Sequence, residues 1–292
     1  MEEQKKLSVQ FTKMHGCGND YIYIHASGAA IPEERKEAVV RQLSDRHFGI
    51  GGDGVIFIHT LGEDCPEADF EMEMYNADGS RAQMCGNGIR CVAKYVYDKG
   101  LTHQEQIRIM SCGTVRILDL EIQNGKVSRV RVNMGRPVLN AGQIPVKSDQ
   151  EQVIGEEIEV AGSRWQMTCV SMGNPHAVVM AEEPSTLDLE KIGPCFEHHQ
   201  RFPERINTEF IKVIDEETIE MRVWERGSGE TLACGTGACA AVVACVLNGL
   251  TKEKVTVKLL GGELIIHWDR QADTVIMSGP AEIVFEGTIE LT

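Results

Sequence analysis

The segment Ala233-Cys234-Gly235-Thr236-Gly237 places a cysteine directly before a Gly-x-Gly turn, and an apolar run follows it as far as Gly249. The chain carries a second copy of this pattern: Met84-Cys85-Gly86-Asn87-Gly88 precedes another mostly apolar run that ends near Gly100. An apolar run of this length closed by glycine predicts a helix and its C-terminal stop. Each cysteine is therefore expected at the N-terminus of a buried helix.

The offset between the two copies extends to the sequence around them. Cys234 follows Cys85 by 149 positions. The same offset relates three other pairs of features: Glu71-Met72 with Glu220-Met221, Asn76 with Glu225, and Gly113 with Gly262. Near the front of each half the offset is slightly longer, because Asn174 follows Asn19 by 155 positions. One register across strand, turn, cysteine, helix and hairpin predicts two halves of related architecture. We place them at residues 1–134 and 135–292, joined by a connection that extends to about residue 160.

Each half contains short strands, one long apolar helix and then more strands. Short strands separated by closely spaced turn signals favour antiparallel sheets. The helix after Cys234 is apolar nearly all round, which predicts that a sheet wraps it. The fold class is therefore predicted to be α+β, with two pseudo-symmetric domains that each consist of a sheet around a central helix.

Charge and composition exclude several classes of function. The 292 residues carry a net charge of −15, and no basic cluster is present that could neutralise nucleic-acid phosphates. The N-terminus lacks the apolar segment of a signal peptide, and the run Ala238 to Leu247 is too short to span a bilayer. We therefore expect a soluble, cytoplasmic protein that binds neither nucleic acid nor membrane. The glycine loop 49–54 lacks the lysine of a phosphate loop and is expected to bring backbone close to a ligand or to the other half.

Ten cysteines in a cytoplasmic protein are expected to be mostly free thiols. They form no Cys-x-x-Cys pair, so no metal site is predicted. Eight of them are interpreted as small, buried apolar residues. Cys85 and Cys234 differ, because unused backbone N–H groups and the helix dipole at a helix N-terminus favour an anion. The dipole contributes about 1 kcal/mol, or about 2 when the site is partly buried, which would bring a thiol pKa towards neutrality.

Two thiolates in one pocket would repel each other, so the stable state is expected to hold one thiolate and one thiol. That pair suits a two-base proton exchange, in which one group removes a proton from one face of a carbon and the other donates to the opposite face. The helix ends could also bind a carboxylate and stabilise the charge that develops when its α-carbon loses a proton. No cofactor is needed for this chemistry.

Other polar residues lie at turns in matching positions of the two halves: Asn19, Asn76, Asn174, Asn207, Glu225 and Arg226. A single asparagine in a turn usually bonds to local backbone, but the symmetric set favours a binding role. Arg226 is the candidate for bidentate capture of a second carboxylate. His176 is equally compatible with a supporting or proton-relay role and with a structural one.

The chain resembles the diaminopimelate epimerase family over nearly its whole length. The motifs that carry the resemblance are Lys13-Met14-His15-Gly16 with Gly18-Asn19-Asp20, Gly49-Ile50-Gly51, Tyr75 to Ser80 running into Met84 to Gly88, Met172 to His176, Arg205-Ile206-Asn207, Trp224 to Gly227, Gly229 to Thr231 and Ala233 to Gly237. The resemblance implies two α+β domains, each a mixed, mostly antiparallel barrel-like sheet around a central helix, with the active site in the cleft between them. It also implies that the C-terminal strand, 280–292, can complete the first domain.

The resemblance implies the roles of the candidate residues and a homodimer that needs no cofactor. Cys85 and Cys234 would be the acid/base pair. The remaining groups would bind diaminopimelate: Gly86, Asn87, Gly235 and Thr236 hold the reacting carboxylate through backbone N–H groups, Asn76, Asn174, Asn207 and Arg226 hold the distal end, and Asn19 and Glu225 complete the contacts.

The sequence departs from the family pattern at two positions. Gly54 stands where the family often has a substrate-facing glutamine, which leaves one substrate hydrogen bond unassigned, and Cys17 stands where an apolar residue is more usual. The predicted function is epimerisation of LL-diaminopimelate to the meso form in lysine and peptidoglycan precursor biosynthesis. The alternatives are a racemase or epimerase of another amino acid on the same scaffold, and a redox or binding module with a switchable disulfide between the two cysteines.

Overall fold

The computed structural model describes residues 7–26, 31–62, 65–82 and 85–291. Some predictions concern residues outside these ranges. They are the first six residues and the last residue of the predicted domains, Asp64 of a predicted turn, and Met84 of the first cysteine motif. The chain divides into two compact units, one drawn from Met1–Val132 and Gly279–Thr292 and the other from Asn133–Ser278. We call these the first and the second unit.

The elements follow the chain in this order. The first part contains β1 (Leu7–Gly16), β2 (Asn19–His25), α1 (Glu33–Ser44), β3 (Gly54–Thr60), β4 (Phe70–Asn76), α2 (Gly86–Asp98), β5 (Gln106–Ser111), β6 (Thr114–Gln123) and β7 (Lys126–Gly135). The remainder contains β8 (Glu156–Val160), β9 (Ser163–Ser171), β10 (Pro175–Met180), a 3-10 turn (Pro184–Thr186), α3 (Leu189–Glu197), β11 (Asn207–Asp215), β12 (Thr218–Glu225), β13 (Gly229–Thr231), α4 (Gly235–Leu247), β14 (Lys254–Leu259), β15 (Gly262–Asp269), β16 (Thr274–Gly279) and β17 (Glu282–Leu291).

The two units pair their strands in the same order. In the first unit β2 pairs with β3 in parallel, β3 with β4 antiparallel, β4 with β5 in parallel, and β5 with β6 antiparallel. In the second unit β10, β11, β12, β14 and β15 repeat that sequence of parallel and antiparallel pairs. The sheets are therefore mixed and mostly antiparallel, and the predicted α+β class is confirmed.

The last strand of the chain belongs to the sheet of the first unit. β17 pairs antiparallel with β1 from Leu7↔Leu291 to His15↔Glu282. In the second unit β8 takes the equivalent place beside β9. An unpaired β1 would expose a row of backbone donors and acceptors, and this pairing removes that edge.

One buried helix occupies the centre of each sheet. α2 packs on β1, β2, β5 and β6, and α4 packs on β9, β10, β11, β14 and β15. α4 is buried from Gly237 to Cys245, because its alanines and glycines let strands approach closely on every side. No helix in the described ranges is both long and apolar enough to cross a membrane.

Two expectations about local structure were wrong. The connection expected up to residue 160 ends in a strand, β8, because Ile158 and Val160 alternate with polar residues and bury one face of it. Cys112 and Cys195, expected to be buried apolar residues, are exposed. Each lies at a turn or on the outer face of a helix, where no core is available to cover it.

A buried carboxylate links α1 to the sheet of the first unit. Glu73 accepts hydrogen bonds from Lys36 at 2.7 Å and from Tyr75 at 2.9 Å, and its Oε2 lies 2.9 Å from His59. Burial by itself would raise the pKa of this carboxyl, but the hydrogen bonds from His59 and Lys36 outweigh burial and lower it to about 2. Glu73 is therefore a charged, fully partnered group of the core.

Candidate active site

Cys85 is the N-cap of α2, in extended backbone at φ −121° and ψ 118°. Its sulfur accepts the Gly88 N–H at 3.4 Å, and the first bond of the helix runs from the Ile89 N–H to the Cys85 carbonyl at 2.9 Å. The N–H groups of Gly86 and Asn87 precede that bond and have no intrahelical carbonyl. This helix end therefore offers a thiol beside backbone donors suited to a carboxylate.

Cys234 caps α4 with almost the same backbone, at φ −121° and ψ 113°. The Ala238 N–H donates to the Cys234 carbonyl at 2.9 Å, so the N–H groups of Gly235 and Thr236 lie ahead of the first helical bond. The Cys234 sulfur lies 3.5 Å from the Thr236 hydroxyl. The 149-residue register of the sequence thus corresponds to two helix ends of matching local geometry.

The environment of Cys234 disfavours its thiolate. The residue is only 5% exposed, and burial raises its pKa well above the ordinary range. The negative charges of Glu225 and Glu209 raise it further, while the Thr236 hydroxyl and the Gly237 N–H lower it less. The expectation that the helix end would bring this thiol towards neutrality was wrong, because desolvation and two nearby carboxyls exceed the effect of the helix terminus.

Glu225 is the acidic side chain that interacts with Cys234, through its charge and through a hydrogen bond. Burial raises the pKa of its carboxyl, and hydrogen bonds from Thr231 and Cys234 partly offset that rise. The Thr231 hydroxyl donates to Glu225 Oε1 at 2.5 Å. A carboxylate whose pKa is raised is a stronger base than an ordinary carboxylate. Glu225 can therefore accept the proton of the Cys234 thiol, whose pKa is also raised, at a smaller energetic cost.

His176 and Glu209 form a fully buried pair beneath α4. Nδ1 of His176 lies 2.7 Å from Glu209 Oε1, and Nε2 lies 2.9 Å from Asn174 Oδ1. Both side chains are 0% exposed. Glu209 Oε1 also lies within 2.5 Å of the position that a Cβ would take on Gly237, so the helix can pass over the carboxylate only because this residue is glycine.

Asn207 organises the turn before Arg226. Its amide group donates to the Pro175 carbonyl at 2.8 Å, and its oxygen accepts the Arg226 N–H at 2.9 Å. The Arg226 guanidinium donates to the Glu204 carbonyl at 3.0 Å at the surface. Asn207 is thus buried and positions backbone, while the charged end of Arg226 is exposed.

The residues predicted from the first half make their contacts within the first unit. Asn19 Oδ1 accepts a hydrogen bond from the Cys85 thiol at 3.3 Å. Asn87 is buried, and its side chain accepts from Arg90 at 2.8 Å. Asn76 is exposed at the end of β4, where it pairs with Gly54, and its side chain donates to the Ser80 hydroxyl at 3.0 Å. The structure joins Asn19 to Cys85 at the start of α2, and the turn that begins at Asn76 is linked to Asp53 through the Ala77 N–H at 3.0 Å.

Gly54 leaves no space for the side chain that the family often carries there. A Cβ on Gly54 would lie 2.0 Å from the Tyr75 carbonyl oxygen, in the strand that pairs with β3. A glutamine at position 54 would therefore require the backbone around Tyr75 to shift.

Three residues that contact the predicted residues at or beside the two helix ends were not predicted from the sequence: Asp53, Arg90 and Glu209. Glu209 could have been noticed as a charged residue next to the apolar pair Phe210-Ile211, and Asp53 as the only side chain with a charge in the glycine loop. Arg90 gave no such signal, because arginine is common in helices. Among the described residues, no group of three or more His, Cys, Asp or Glu side chains has the arrangement of a metal site.

Comparisons with known proteins agree with the geometry. A family model described as diaminopimelate epimerase matches residues 11–140 and 168–284. A diaminopimelate epimerase of Acetivibrio thermocellus is 53% identical over 97% of this chain and 99% of its own length, and one of Methanococcus maripaludis is 52% identical over 97% and 100%. The fold is similar to that of a hydroxyproline epimerase from Agrobacterium vitis, with a TM-score of 0.68, 14% identity, and coverage of 97% of this chain and 91% of that one.

Proposed function

Because the chain belongs to the diaminopimelate epimerase family, we propose that it is an isomerase that interconverts LL- and meso-2,6-diaminopimelate without pyridoxal phosphate or another cofactor. This step would serve lysine and peptidoglycan precursor biosynthesis. The observation that carries the proposal is the pair of cysteine N-caps, Cys85 and Cys234, with matching backbone angles on two buried helices.

In the proposed reaction the two cysteines exchange one proton at the α-carbon. A thiolate takes the α-proton and becomes a thiol, and the other thiol gives its proton to the opposite face and becomes a thiolate. No electron is gained or lost, and the two sulfurs end with their protonation states exchanged. The raised pKa of Cys234 supports a thiol there as the proton donor in one direction, and Glu225 is the nearby carboxyl that would accept its proton before the reverse direction.

We propose that the reacting carboxylate binds to the N–H groups of Gly86, Asn87, Gly235 and Thr236. Donors at two helix ends would stabilise the negative charge that builds on this carboxylate in the transition state more than the charge of the bound substrate. The distal end of the substrate is assigned to a second group of residues: Asn76, Asn174, Asn207 and Arg226, with Asn19 and Glu225 completing the contacts. His176 is proposed to support this group through its bond to Asn174.

The test is hydrogen exchange at the α-carbon in D2O. Wild-type protein is expected to incorporate deuterium into LL-diaminopimelate with no added cofactor. Cys85→Ala and Cys234→Ala should each lose epimerisation by about 10²- to 10⁴-fold, which is the usual contribution of a positioned acid or base. Matched controls are Cys91→Ala and Cys245→Ala, which remove buried thiols from the same two helices and should retain activity.

Each alternative has its own outcome in this experiment. Exchange into another amino acid but not into diaminopimelate would identify a racemase or epimerase of different specificity. Absence of exchange into every amino acid tried, together with a reducible bond between Cys85 and Cys234, would favour the redox module. Full activity in both alanine variants would contradict the two-cysteine mechanism.

We also propose that the enzyme acts in the cytoplasm as a homodimer. Ten cysteines with no disulfide within either unit are consistent with a reducing compartment. Family resemblance is the support for the dimer. Light scattering of the purified protein should give twice the 32.3 kDa mass of one chain, and a single-chain mass would refute the dimer.

A further inference from the structure

We propose that Asp53 is a positioning residue that fixes the orientation of the Asn19 amide and thereby holds Cys85 as a hydrogen-bond donor, in the thiol form that gives up its proton in the direction in which Cys234 is the base. This inference rests on the proposed function for its importance to catalysis. The contacts that carry it, however, lie within the first unit and can be tested without any substrate.

The glycine loop is what brings Asp53 to Asn19. The Asp53 N–H donates to the Asp20 carbonyl at 2.7 Å, and the Asp53 carbonyl accepts the Ala77 N–H at 3.0 Å. A Cβ on Gly52 would lie 3.1 Å from the Asp20 carbonyl and 2.7 Å from the Lys13 ammonium, so the loop can approach β2 only with glycine there. The loop thus approaches the β1–β2 turn rather than forming a phosphate site.

The Asp53 carboxylate determines which atom of the Asn19 amide faces Cys85. Asp53 Oδ2 lies 2.7 Å from Asn19 Nδ2 and also accepts the Asp20 N–H at 3.1 Å. Its other oxygen accepts from Arg46 at 2.9 Å. A carboxylate paired with a guanidinium can only accept hydrogen bonds, so the NH2 group of Asn19 must face it and the amide oxygen must face the other way.

The orientation of the Asn19 amide determines that the Cys85 thiol donates the hydrogen bond between them. Asn19 Oδ1 lies 3.3 Å from Cys85 Sγ, and an amide oxygen can only accept, so Cys85 must donate. A thiolate at this position would place an anion against the negative end of the amide dipole. If the amide rotated, its NH2 group would donate to the sulfur and favour the thiolate instead, and the bonds to Asp53 prevent that rotation.

Several charged or titratable groups surround these two residues and have to be considered in any pH measurement. Asp20, Arg46 and Lys13 lie around Asp53, with Lys13 2.5 Å from Asp20 and Arg46 2.7 Å from it. Tyr23 and Cys91 interact electrostatically with Cys85 from β2 and α2. Asp53 contacts two of these residues directly, because it accepts hydrogen bonds from Arg46 and from the Asp20 N–H.

The experiment measures alkylation of Cys85 by iodoacetamide as a function of pH in the full-length protein. Trypsin releases residues 82–90, a peptide in which Cys85 is the only cysteine, so mass spectrometry reports this thiol alone. Asp53→Asn replaces a carboxylate that can only accept by an amide that both accepts and donates, so it no longer fixes which way the Asn19 amide faces. Its Cys85 should react about tenfold faster near neutral pH, with the titration displaced to lower pH, because one donor bond to an anion changes its free energy by that order.

A second substitution separates amide orientation from simple loss of charge. Asn19→Ala removes the amide oxygen that favours the thiol, so it should also speed alkylation, and in that background Asp53→Asn should have little further effect. Arg46→Met removes a charge but leaves the Asp53 acceptor and should not speed the reaction. Asp119→Asn is the matched control, since Asp119 likewise accepts from an amide, that of Gln106 at 2.8 Å.

The proposal is overturned if Asp53→Asn alkylates at the wild-type rate, or if its acceleration persists in full in the Asn19→Ala background. Should Asp53→Asn fail to fold, a reaction of Asn19→Ala no faster than that of wild type refutes the proposal as well. The alkylation result does not depend on epimerase activity, so failure of the proposed function leaves the test intact.

Discussion

Gly237 lies directly over the buried Glu209 carboxylate, and its replacement by alanine tests how rigidly that carboxylate is held. A Cβ at this position would lie 2.5 Å from Glu209 Oε1 and 3.1 Å from its Cδ. The carboxylate cannot move aside freely, because it is 0% exposed and bonded to His176 at 2.7 Å. Gly237→Ala therefore has to displace the pair or shift the helix.

The expected change in the free energy of unfolding is a balance of opposing contributions. Alanine in place of a helical glycine stabilises by about 1 kcal/mol, while crowding a packed site costs about 1–3 kcal/mol. Weakening the buried Glu209–His176 contact adds about 1–3 kcal/mol. We expect a net loss of about 2 kcal/mol in the free energy of unfolding, or roughly 5 °C in the melting temperature of a unit of this size.

Gly88→Ala is the matched control, since Gly88 precedes Gly237 by 149 positions in the equivalent helix. The new Cβ would meet Ile56 Cδ1 at 2.9 Å, the far end of a flexible apolar side chain that can rotate away. We expect a change within about 1 kcal/mol of wild type. Urea unfolding followed by circular dichroism measures both variants. An equal or larger loss for Gly88→Ala would refute the argument that the Glu209 pair is the rigid element.

Three further predictions concern charge and packing. Burial raises the pKa of Glu73 and its hydrogen bonds lower it more, so the pKa is about 2 in the folded protein instead of 4.5. The charged carboxylate therefore stabilises the folded state fully above about pH 4.5, and this stabilisation is lost as the pH falls from about 4.5 towards 2. Glu73→Gln should therefore flatten the dependence of the melting temperature on pH in that window, and an unchanged slope would contradict the assignment. Gly54→Gln should destabilise by about 3 kcal/mol in chemical denaturation, because its Cβ meets the Tyr75 carbonyl at 2.0 Å; a wild-type midpoint would show that the backbone adapts. Glu225→Gln removes a negative charge that raises the pKa of Cys234, so alkylation of Cys234 should begin at lower pH than in wild type. An identical pH profile would show that the Glu225 charge does not affect the reactivity of this thiol.

The helices and the repeat could be predicted because their signals are local. A cysteine followed by glycines and an apolar run closed by glycine defines a helix from residues within a few turns of each other. The predicted helix after Cys85, expected to end near Gly100, ends at Asp98, and the two N-caps differ by only 5° in ψ. The 149-residue register indicated that both halves use the same elements, and the pairing of their strands agrees.

The sequence by itself thus determined which segments become helices and strands, that two related halves exist, and which two thiols stand at helix ends. Only the tertiary structure decided the properties of those thiols. The pKa of Cys234 is raised by burial and by the charges of Glu225 and Glu209, and the orientation of Asn19 depends on Asp53, at the end of a loop that follows a helix. Desolvation and Coulomb interactions depend on distance through space and on the surrounding medium, and neither is encoded in the spacing of residues along the chain.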